Sequence, residues 1–591
     1  MLILTESRAS LRTPGSYERE DNITENLEGT CSWILSSDEY QRWIQSGGVL
    51  LIRGNPGCGK STLLKYALTC ARQKKCFSKS LMISFFFDAS GTESQNSIIS
   101  MLRSLLDQLV EQDEQVRPAF HEAYCKQLAR HGGNSKLLVW KQQPLIQTVR
   151  ALLQISTGSY MTKIFIDAID ECQDGDRDDI IRFLHSLGTS NSTDSSNLAL
   201  FLTSRHHPDG QISFDQRIDL QQRTQNDIQT YIREILRLPK ASDTTRAITG
   251  ELQDRADGSF LWLSLLIPRI NILHSQGSSK MEMLREIEQR PQRLDELYRE
   301  LVDRIDAAHL LEASRLFQWM CYGKRRLKVS ELRTALAVHA TGARQSLRDY
   351  LDECNANYIP DDETMIKRVT YLSQGLVNKT SAADHEDYLG FHHTSITQFI
   401  LATGFDVIKG KLSETGKFLE DDNSCFANTC IRFLSTCEIR QAALDGDTDL
   451  LSSLSFSTYA ADFWLTHAVD AEKMNELATV EWPTYEVLQY WIERQRKLDK
   501  DSTFLWKRGT GLVHIAAKHG LVSLARRLLD GQDYCPTVAS FDRVQKLRAG
   551  RFTAGSLTDN FTKLLITGKK AFERKTKALP KLGSVGPEYI S

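Results

Sequence analysis

The sequence predicts an α/β domain with a parallel, doubly wound sheet, followed by all-helical and winged-helix domains. Short apolar runs alternate with amphipathic helical patterns up to about residue 240, and helical periodicity then dominates to about residue 530. The apolar runs lack polar alternation, so both faces of each strand are expected to be buried, as in parallel sheets. A chain of 591 residues is also too long for one hydrophobic core, so several domains are expected.

The α/β part begins with a helical segment over residues 21–48, where aromatic and aliphatic residues recur at three- and four-residue spacings. Four strands follow, and helical patterns with one apolar face separate the first three. The strands are predicted at residues 49–52, 81–87, 164–166 and 198–202, and the helices over 61–72, 98–109 and 144–155.

Beyond residue 240 the strand patterns mostly disappear, except for two runs at residues 369–372 and 388–391. These runs predict a small hairpin among helices, which suits a winged helix. The predicted division is a polar leader (1–20), the α/β domain (21–240), a helical domain (241–305), a winged-helix domain (306–405), a helical region (406–508), one ankyrin-like repeat (509–531) and a basic tail (532–591).

Composition and charge favour an ordinary intracellular protein. The formal net charge of -2 gives no whole-chain reason to expect nucleic-acid or anionic-membrane binding. The twelve cysteines are scattered, and the N-terminus lacks the pattern of a secretory signal. The longest apolar stretch, residues 260–267, is far shorter than the roughly 20 residues that span a bilayer. A cytoplasmic location is therefore expected.

Residues 54–61 match the pattern of a phosphate-binding loop between a strand and a helix. The loop consists of Gly54, Asn55, Pro56, Gly57, Cys58, Gly59, Lys60 and Ser61, and Thr62 follows it. Glycines let successive backbone N–H groups point at phosphate oxygens, and the helix start adds its positive dipole end. Lys60 would neutralise the β- and γ-phosphates and Ser61 would ligate Mg²⁺, so ATP or GTP with Mg²⁺ is expected.

A carboxylate cluster follows the third predicted strand. Asp167 ends the strand and is expected to hold Mg²⁺, directly or through water. Glu171 would polarise an attacking water, and Asp170 would assist with the metal or orient Glu171. The alternative is an ordinary acidic turn after a core strand, which the upstream phosphate-binding loop disfavours.

Arg205 stands at the end of the fourth predicted strand, after Leu202, Thr203 and Ser204. A guanidinium at this position can contact the γ-phosphate through two hydrogen bonds and lose them after hydrolysis. A surface arginine at a loop entrance is the alternative, and spacing does not decide between the two.

These motifs together resemble the NACHT nucleoside-triphosphatase domain of the STAND class. More narrowly, the chain resembles the NACHT proteins of filamentous fungi, relatives of NOD-like receptors and heterokaryon-incompatibility proteins. Further segments match in the expected order: residues 29–35 before the loop, 257–262 after the NTPase core, 319–332 and 391–400 at the two ends of the winged helix, and 459–464 beyond it. The resemblance covers about residues 21–470.

The resemblance implies a switch that ADP or GDP holds closed and that a triphosphate with Mg²⁺ opens, with assembly into a homo-oligomer in the open form. It also implies that His393 approaches the β-phosphate in the closed form, although His392 is the neighbouring alternative. Two positions depart from the family pattern. Ala168 replaces a common Gly, and Arg326 replaces a usual Pro, which we interpret as a surface-loop change.

The two ends of the chain are less typical of this class. The leader of about 20 residues is too short for a folded effector domain. Residues 509–531 resemble one ankyrin repeat, whereas about three are needed to bury a common core, and a helical hairpin is the alternative. Residues 536–591 hold 11 Lys and Arg against 4 Asp and Glu, which favours a solvated, disordered tail over a nucleic-acid site. A truncated or mis-spliced version of a longer sensor would account for the single repeat and the tail.

The leading functional hypothesis is a nucleotide-controlled signal-transduction switch with slow turnover and with protein partners at its helical and ankyrin-like region. A nucleotide-bound scaffold without useful hydrolysis is the alternative from another class. A metabolic kinase is weaker, because such enzymes do not need about 300 residues of helical accessory regions. The pattern does not distinguish ATP from GTP.

Overall fold

The computed structural model describes residues 2–12, 18–73, 80–89, 93–130, 138–173, 175–189, 197–205, 215–240, 242–352, 355, 358–381, 386–414, 424–445, 454–474, 480–484, 487–492, 511–519, 521 and 524. The chain divides into two compact units. The first comprises residues 1–326 and 369–416, and the second comprises residues 327–368 and 417–591. The predicted basic tail and most of the ankyrin-like segment lie outside the described residues.

A five-stranded parallel sheet lies in the first unit and confirms the predicted α/β class. Its strands are β1 Gly48–Arg53, β2 Ser80–Phe86, β3 Met161–Asp167, β4 Leu198–Ser204 and β5 Gln216–Asp219, in the order β2-β3-β4-β1-β5. The four predicted strands are all present, and β5 was not predicted. It is short and largely polar, because it pairs only with β1 at the edge of the sheet.

Both faces of the sheet are covered by hydrophobic side chains. Ile164 and Ile166 of β3 contribute to one buried cluster, whereas Phe165 between them contributes to the other. Successive residues of a strand point to opposite faces, so a strand buried on both faces has no polar alternation. The apolar runs therefore arise from the position of these strands between two layers.

Helices of the first unit surround the sheet and extend beyond it. They are α1 Leu2–Ala9, α2 Glu18–Asn22, α3 Asp38–Ser46, α4 Lys60–Gln73, α5 Glu93–Asn96, α6 Ile98–Gln112, α7 Arg117–Arg130, α8 Gln142–Thr157, α9 Arg177–Thr189, α10 Gln225–Ile235, α11 Asp243–Ala256, α12 Phe260–Ser275, α13 Lys280–Glu288, α14 Leu294–Asp303 and α15 Leu310–Tyr322. The predicted helices at residues 61–72, 98–109 and 144–155 correspond to α4, α6 and α8.

The second unit contains the short strand β6 Leu327–Lys328 and a set of helices. The helices are α16 Val329–Thr341, α17 Leu347–Leu351, α21 Ser424–Leu434, α22 Cys437–Asp445, α23 Ser457–Lys473 and α24 Leu512–His519. Helix α18 Asp362–Leu372 runs from the second unit into the first. The predicted division of the chain into domains remains a prediction.

The predicted hairpin exists, but its first strand was placed wrongly. Residues 369–372 belong to α18, where Met365, Val369 and Leu372 are buried at helical spacing. The helix ends at Leu372. Gln374 and Gly375, just beyond it, both have positive φ, and the strand β7 Val377–Ser381 follows. It pairs antiparallel with β8 Asp387–Phe391. The short run of Val, Thr, Tyr and Leu has β propensity, but packing on the helical face prevails.

After the hairpin, the first unit continues with α19 Thr394–Phe399, a π-helical turn at Ile400–Gly404 and α20 Phe405–Glu414. The predicted polar leader also has structure, because it contains α1 and most of α2. Arg8 of α1 donates to Asp107 of α6 at 2.8 Å. Leu11 is buried in one of the two clusters that cover the sheet. The leader is therefore packed against the α/β domain.

None of the helices among the described residues is long and apolar enough to cross a membrane. The nine cysteines that the structure describes are free thiols.

Candidate functional site

The phosphate-binding loop connects β1 to α4 at the carboxyl edge of the sheet. Gly57 and Gly59 have φ angles of 74° and 90°, in the left-handed region that favours glycine. Gly54 is also confined, because a Cβ atom there would lie 2.4 Å from Sγ of Cys58. The loop therefore has the backbone shape that glycines permit, with α4 beginning at Lys60.

Lys60 folds back over its own loop. Its Nζ donates to the carbonyl oxygens of Gly54 at 2.7 Å and of Asn55 at 3.0 Å. The side chain is buried, so these bonds satisfy an ammonium that would otherwise lack partners. An anionic ligand in the loop would compete with the two carbonyl oxygens for the same donor.

The first turn of α12 lies against the loop. Leu261 donates its backbone N–H to the carbonyl oxygen of Gly57 at 3.3 Å. A Cβ atom on Gly57 would lie 2.3 Å from Cβ of Leu261, and one on Gly59 would touch the ring of Phe260 at 3.5 Å. The loop and the start of this helix are therefore in close contact.

Asp167 ends β3 beside the loop and is fully buried. Its Oδ1 accepts a hydrogen bond from Thr203 of β4 at 2.6 Å, and its Oδ2 has no hydrogen-bond partner. Burial raises the pKa of Asp167, whereas Thr203, the neighbouring Ser61 and two cations oppose that shift. A buried carboxylate oxygen without a partner, next to the Ser61 hydroxyl, fits the oxygen ligands that Mg²⁺ prefers.

Glu171 ends a 3-10 turn at Ile169–Glu171, four residues after Asp167. Its Oε1 accepts from the hydroxyl of Thr394 at 2.7 Å, and its Oε2 accepts from the backbone N–H of Ala89 at 3.3 Å. Burial raises the pKa of Glu171. The turn starts from Ala168, whose φ of 52° is unusual for a residue with a side chain, so a Gly there would relieve strain.

Arg205 follows β4 and contacts the acidic turn. Its Nε lies 2.9 Å from Oδ2 of Asp170, and its Nη2 lies 3.6 Å from Oε1 of Glu171. It also donates to Oγ1 of Thr394 at 3.2 Å and to Oε1 of Gln398 at 2.8 Å. Arg205 thus links the acidic turn to α19, and its role as a γ-phosphate sensor remains a prediction.

His393 precedes α19 and faces the site, whereas the side chain of His392 is exposed. Nδ1 of His393 accepts the backbone N–H of Ser395 at 3.0 Å, so that nitrogen carries no proton. Burial and the charges of Lys60, Arg205 and Arg19 hold the pKa of His393 well below its usual range. The neutral ring therefore has its proton on Nε2, which makes Nε2 a hydrogen-bond donor.

The same ring nitrogen has a second contact, whose direction follows from this tautomer. The Ser395 hydroxyl lies 2.9 Å from Nδ1 of His393 and 2.9 Å from the hydroxyl of Tyr298 in α14. Because Nδ1 can only accept, Ser395 donates to it and in turn accepts from Tyr298. Burial raises the pKa of Tyr298, which keeps that hydroxyl protonated. Helix α14 therefore helps to orient His393.

Sequence reasoning missed two charged residues at this edge, Asp88 and Arg19, and misinterpreted a third, Arg326. Asp88, just beyond β2, is buried, and its Oδ2 lies 3.7 Å from Nη1 of Arg19 and 3.2 Å from Nη2 of Arg326. Burial lowers the pKa of Arg19, but Asp88, Glu171 and Asp167 outweigh it and raise the pKa above its usual value. Arg326 is therefore not a surface-loop change, because it pairs with a carboxylate beside the site.

The segment before the loop is anchored by hydrogen bonds rather than by burial alone. Oδ2 of Asp227 in α10 accepts the backbone N–H of Cys31 at 2.9 Å and Nε1 of Trp33 at 3.1 Å. No motif signals Asp227 in the sequence. Cys31 and Trp33 belong to residues 29–35, which resemble the family but carry no motif of their own.

The comparisons with known proteins support the class of the α/β domain. Residues 29–205, less than half of the chain, match the family model described as Nephrocystin 3, N-terminal. No curated protein matches the chain. The loop, the parallel sheet and the family match together indicate a P-loop NTPase domain of NACHT-associated type.

Three solved structures show weak similarity. The Aeropyrum pernix ORC2 protein in ADPNP–ADP complexes is 14% identical, with 68% of this chain and 99% of that chain covered and a TM-score of 0.30. The Aeropyrum pernix ORC1 protein in complex with DNA is 12% identical, with 69% and 96% covered and a TM-score of 0.28. PCH-2 of C. elegans is 13% identical, with 49% and 69% covered and a TM-score of 0.21. TM-scores this low carry no argument about function.

Proposed function

We propose that this chain is a nucleotide-controlled signal-transduction switch of the NACHT and STAND type. The observation that carries the proposal is the position of residues 393–398. In one short segment, His393 lies close enough to Lys60 of the phosphate-binding loop for that charge to lower its pKa, Thr394 contacts Glu171, and Gln398 contacts Arg205. Movement of this segment would therefore remove the contact of His393 with the diphosphate. The same movement would release Glu171 and Arg205, the residues proposed to act in hydrolysis.

In the closed form, the loop from Gly54 to Ser61 and the adjacent Thr62 hold the phosphates of ADP or GDP. The Nε2–H group of His393 donates to the β-phosphate. The neutral tautomer with its proton on Nε2 supports this assignment. In the open form, Lys60 neutralises the β- and γ-phosphates of the triphosphate. Ser61 and Asp167 hold Mg²⁺, for which the partnerless Oδ2 of Asp167 is the supporting observation.

Hydrolysis resets the switch and is slow. Glu171 accepts the proton of the attacking water, Asp170 orients Arg205, and Arg205 senses the γ-phosphate. The contact of Arg205 Nε with Asp170 at 2.9 Å supports this division of roles. The resemblance further implies cytoplasmic defence signalling in fungi, with protein partners at the helical and ankyrin-like regions and a homo-oligomer in the triphosphate form.

The first test identifies the nucleotide. We expect native mass spectrometry of the purified chain to detect bound ADP or GDP, and we expect Lys60→Ala to remove it. Glu171→Gln should retain triphosphate binding but slow phosphate release by roughly 10²-fold or more, because a general base contributes about that much. Equal triphosphate affinity in the wild type and in Lys60→Ala would contradict the assignment.

A nucleotide-bound scaffold is the second candidate, and one observation favours it. Both oxygens of Glu171 accept hydrogen bonds, and Arg205 contacts protein oxygens. If this arrangement is permanent, the protein binds nucleotide without turnover. Tightly bound diphosphate, with no phosphate release from added triphosphate under any condition, would favour the scaffold.

A further inference from the structure

Thr394 is the residue through which the segment after the hairpin contacts the hydrolytic groups. Its side chain is buried, and its hydroxyl donates to Oε1 of Glu171 at 2.7 Å. The Oγ1 atom of Thr394 also accepts a hydrogen bond from Nη2 of Arg205 at 3.2 Å. One hydroxyl therefore connects the proposed base and the proposed γ-phosphate sensor.

This contact has a chemical consequence for Glu171. During hydrolysis, the oxygen of water forms a bond to the γ-phosphorus and the bond from that phosphorus to the bridging oxygen breaks. The bridging electrons leave with the diphosphate, and the water proton passes to a carboxylate oxygen of Glu171. That oxygen needs a free lone pair aimed at the water. Thr394 takes one lone pair of Oε1, and the N–H of Ala89 takes one lone pair of Oε2. Both hydrogen bonds stabilise the charged carboxylate, so they make Glu171 a weaker acceptor for the water proton.

We propose that Thr394 is a positioning residue that holds Glu171 and Arg205 in a non-hydrolysing arrangement until the 393–398 segment moves. This inference rests on the proposed function and adds how turnover at that site is regulated. The segment itself is fixed by further contacts, since Gln398 accepts from Arg205 and Ser395 contacts Tyr298 of α14. Release of the segment would free the carboxylate and the guanidinium in one step.

The test removes the hydroxyl without changing the shape of the side chain. We expect Thr394→Val to raise the rate of phosphate release in a single turnover about tenfold, as the loss of one hydrogen bond to a charged group implies. Thr394→Ser keeps the hydroxyl and should stay within about twofold of the wild type. The matched control is Thr397→Val, the same substitution one turn along α19.

A double variant separates positioning from a structural effect. The gain should disappear in Thr394→Val combined with Glu171→Gln, because it acts through Glu171. Slower or unchanged release in Thr394→Val, with a melting temperature equal to that of Thr397→Val, would overturn the inference. A second case is that Thr394→Val melts at a much lower temperature than Thr397→Val. In that case a wild-type rate of phosphate release in Thr394→Ser, together with loss of the rate increase in the double variant, still supports the positioning role of the Thr394 hydroxyl.

The outcomes also separate this inference from the proposed function. If the wild type binds no nucleotide, or binds as well with Lys60→Ala, the proposed function fails. If the wild type binds nucleotide in a Lys60-dependent way and Thr394→Val gains no turnover, only the role of Thr394 fails.

Discussion

Among the described residues, four cationic and four carboxylate side chains meet at the carboxyl edge of the sheet. The cations are Arg19, Lys60, Arg205 and Arg326, and the carboxylates are Asp88, Asp167, Asp170 and Glu171. Each cation has an oxygen partner from the protein. A triphosphate can enter only by taking over some of these partnerships, and Mg²⁺ would compensate the carboxylates that lose them.

Arg19 is the residue whose substitution we expect to change most clearly the preference for a triphosphate over a diphosphate. Its Nε has no hydrogen-bond partner, and its ion pair with Asp88 is long, at 3.7 Å. In Arg19→Met, triphosphate affinity should fall roughly tenfold or more, since a charge-assisted hydrogen bond is lost. Diphosphate affinity should change less than twofold, and titration calorimetry with both nucleotides measures the difference.

The control for this prediction is Arg12→Met, the same substitution at a side chain that is 65% exposed. An equal loss of both nucleotides in Arg19→Met would instead mean that Arg19 supports the fold through Asp88.

Individual residues of the candidate site could be predicted from the sequence where they belong to a motif. Lys60, Asp167 and Glu171 follow from a fixed pattern along the chain. Arg19, Asp88 and Thr394 do not, because each reaches the site from a different segment and has no short-range signature. Only the tertiary structure brings these segments to one edge.

At the scale of elements, α14 and α19 orient His393 together. We expect Tyr298→Phe to weaken ADP binding by about threefold to tenfold, because the Ser395 hydroxyl loses its donor and the ring loses orientation. Side-chain ¹⁵N shifts of His393 should show a mixture of tautomers, and ADP titration gives the affinity. Tyr231→Phe is the control, since Tyr231 packs through its ring against Phe260. Unchanged ¹⁵N shifts in Tyr298→Phe would contradict this role.

Element types were predicted well where a pattern is long, as in α6 or β4, and poorly where it is short. Strand β5 has only four residues, of which one, Ile218, is apolar and buried, so its pattern is too short to detect. The run at residues 369–372 shows the opposite error, because local β propensity was outweighed by burial along one face of α18.

At the scale of the whole molecule, every residue of the candidate site belongs to the first unit. We therefore expect Mg²⁺–ADP at about 100 times its dissociation constant to stabilise that unit by about 2.7 kcal/mol, because the ligand binds only the folded form. Differential scanning calorimetry should show the unfolding transition of the first unit moving upward. Lys60→Ala should show no shift. If Mg²⁺–ADP leaves the unfolding temperature of the first unit unchanged in the wild type, the assignment of the nucleotide site is contradicted.

The contact between Gly57 and Leu261 limits how this chain can diverge. Gly57 has a positive φ, and its Cα–H faces a leucine that leaves no room for another carbon. A lineage that altered the first turn of α12 would change the space around the phosphate-binding loop, and a bulkier residue in the loop would displace the helix. Positions 57 and 261 are 204 residues apart in the sequence, yet they are expected to co-vary among related chains.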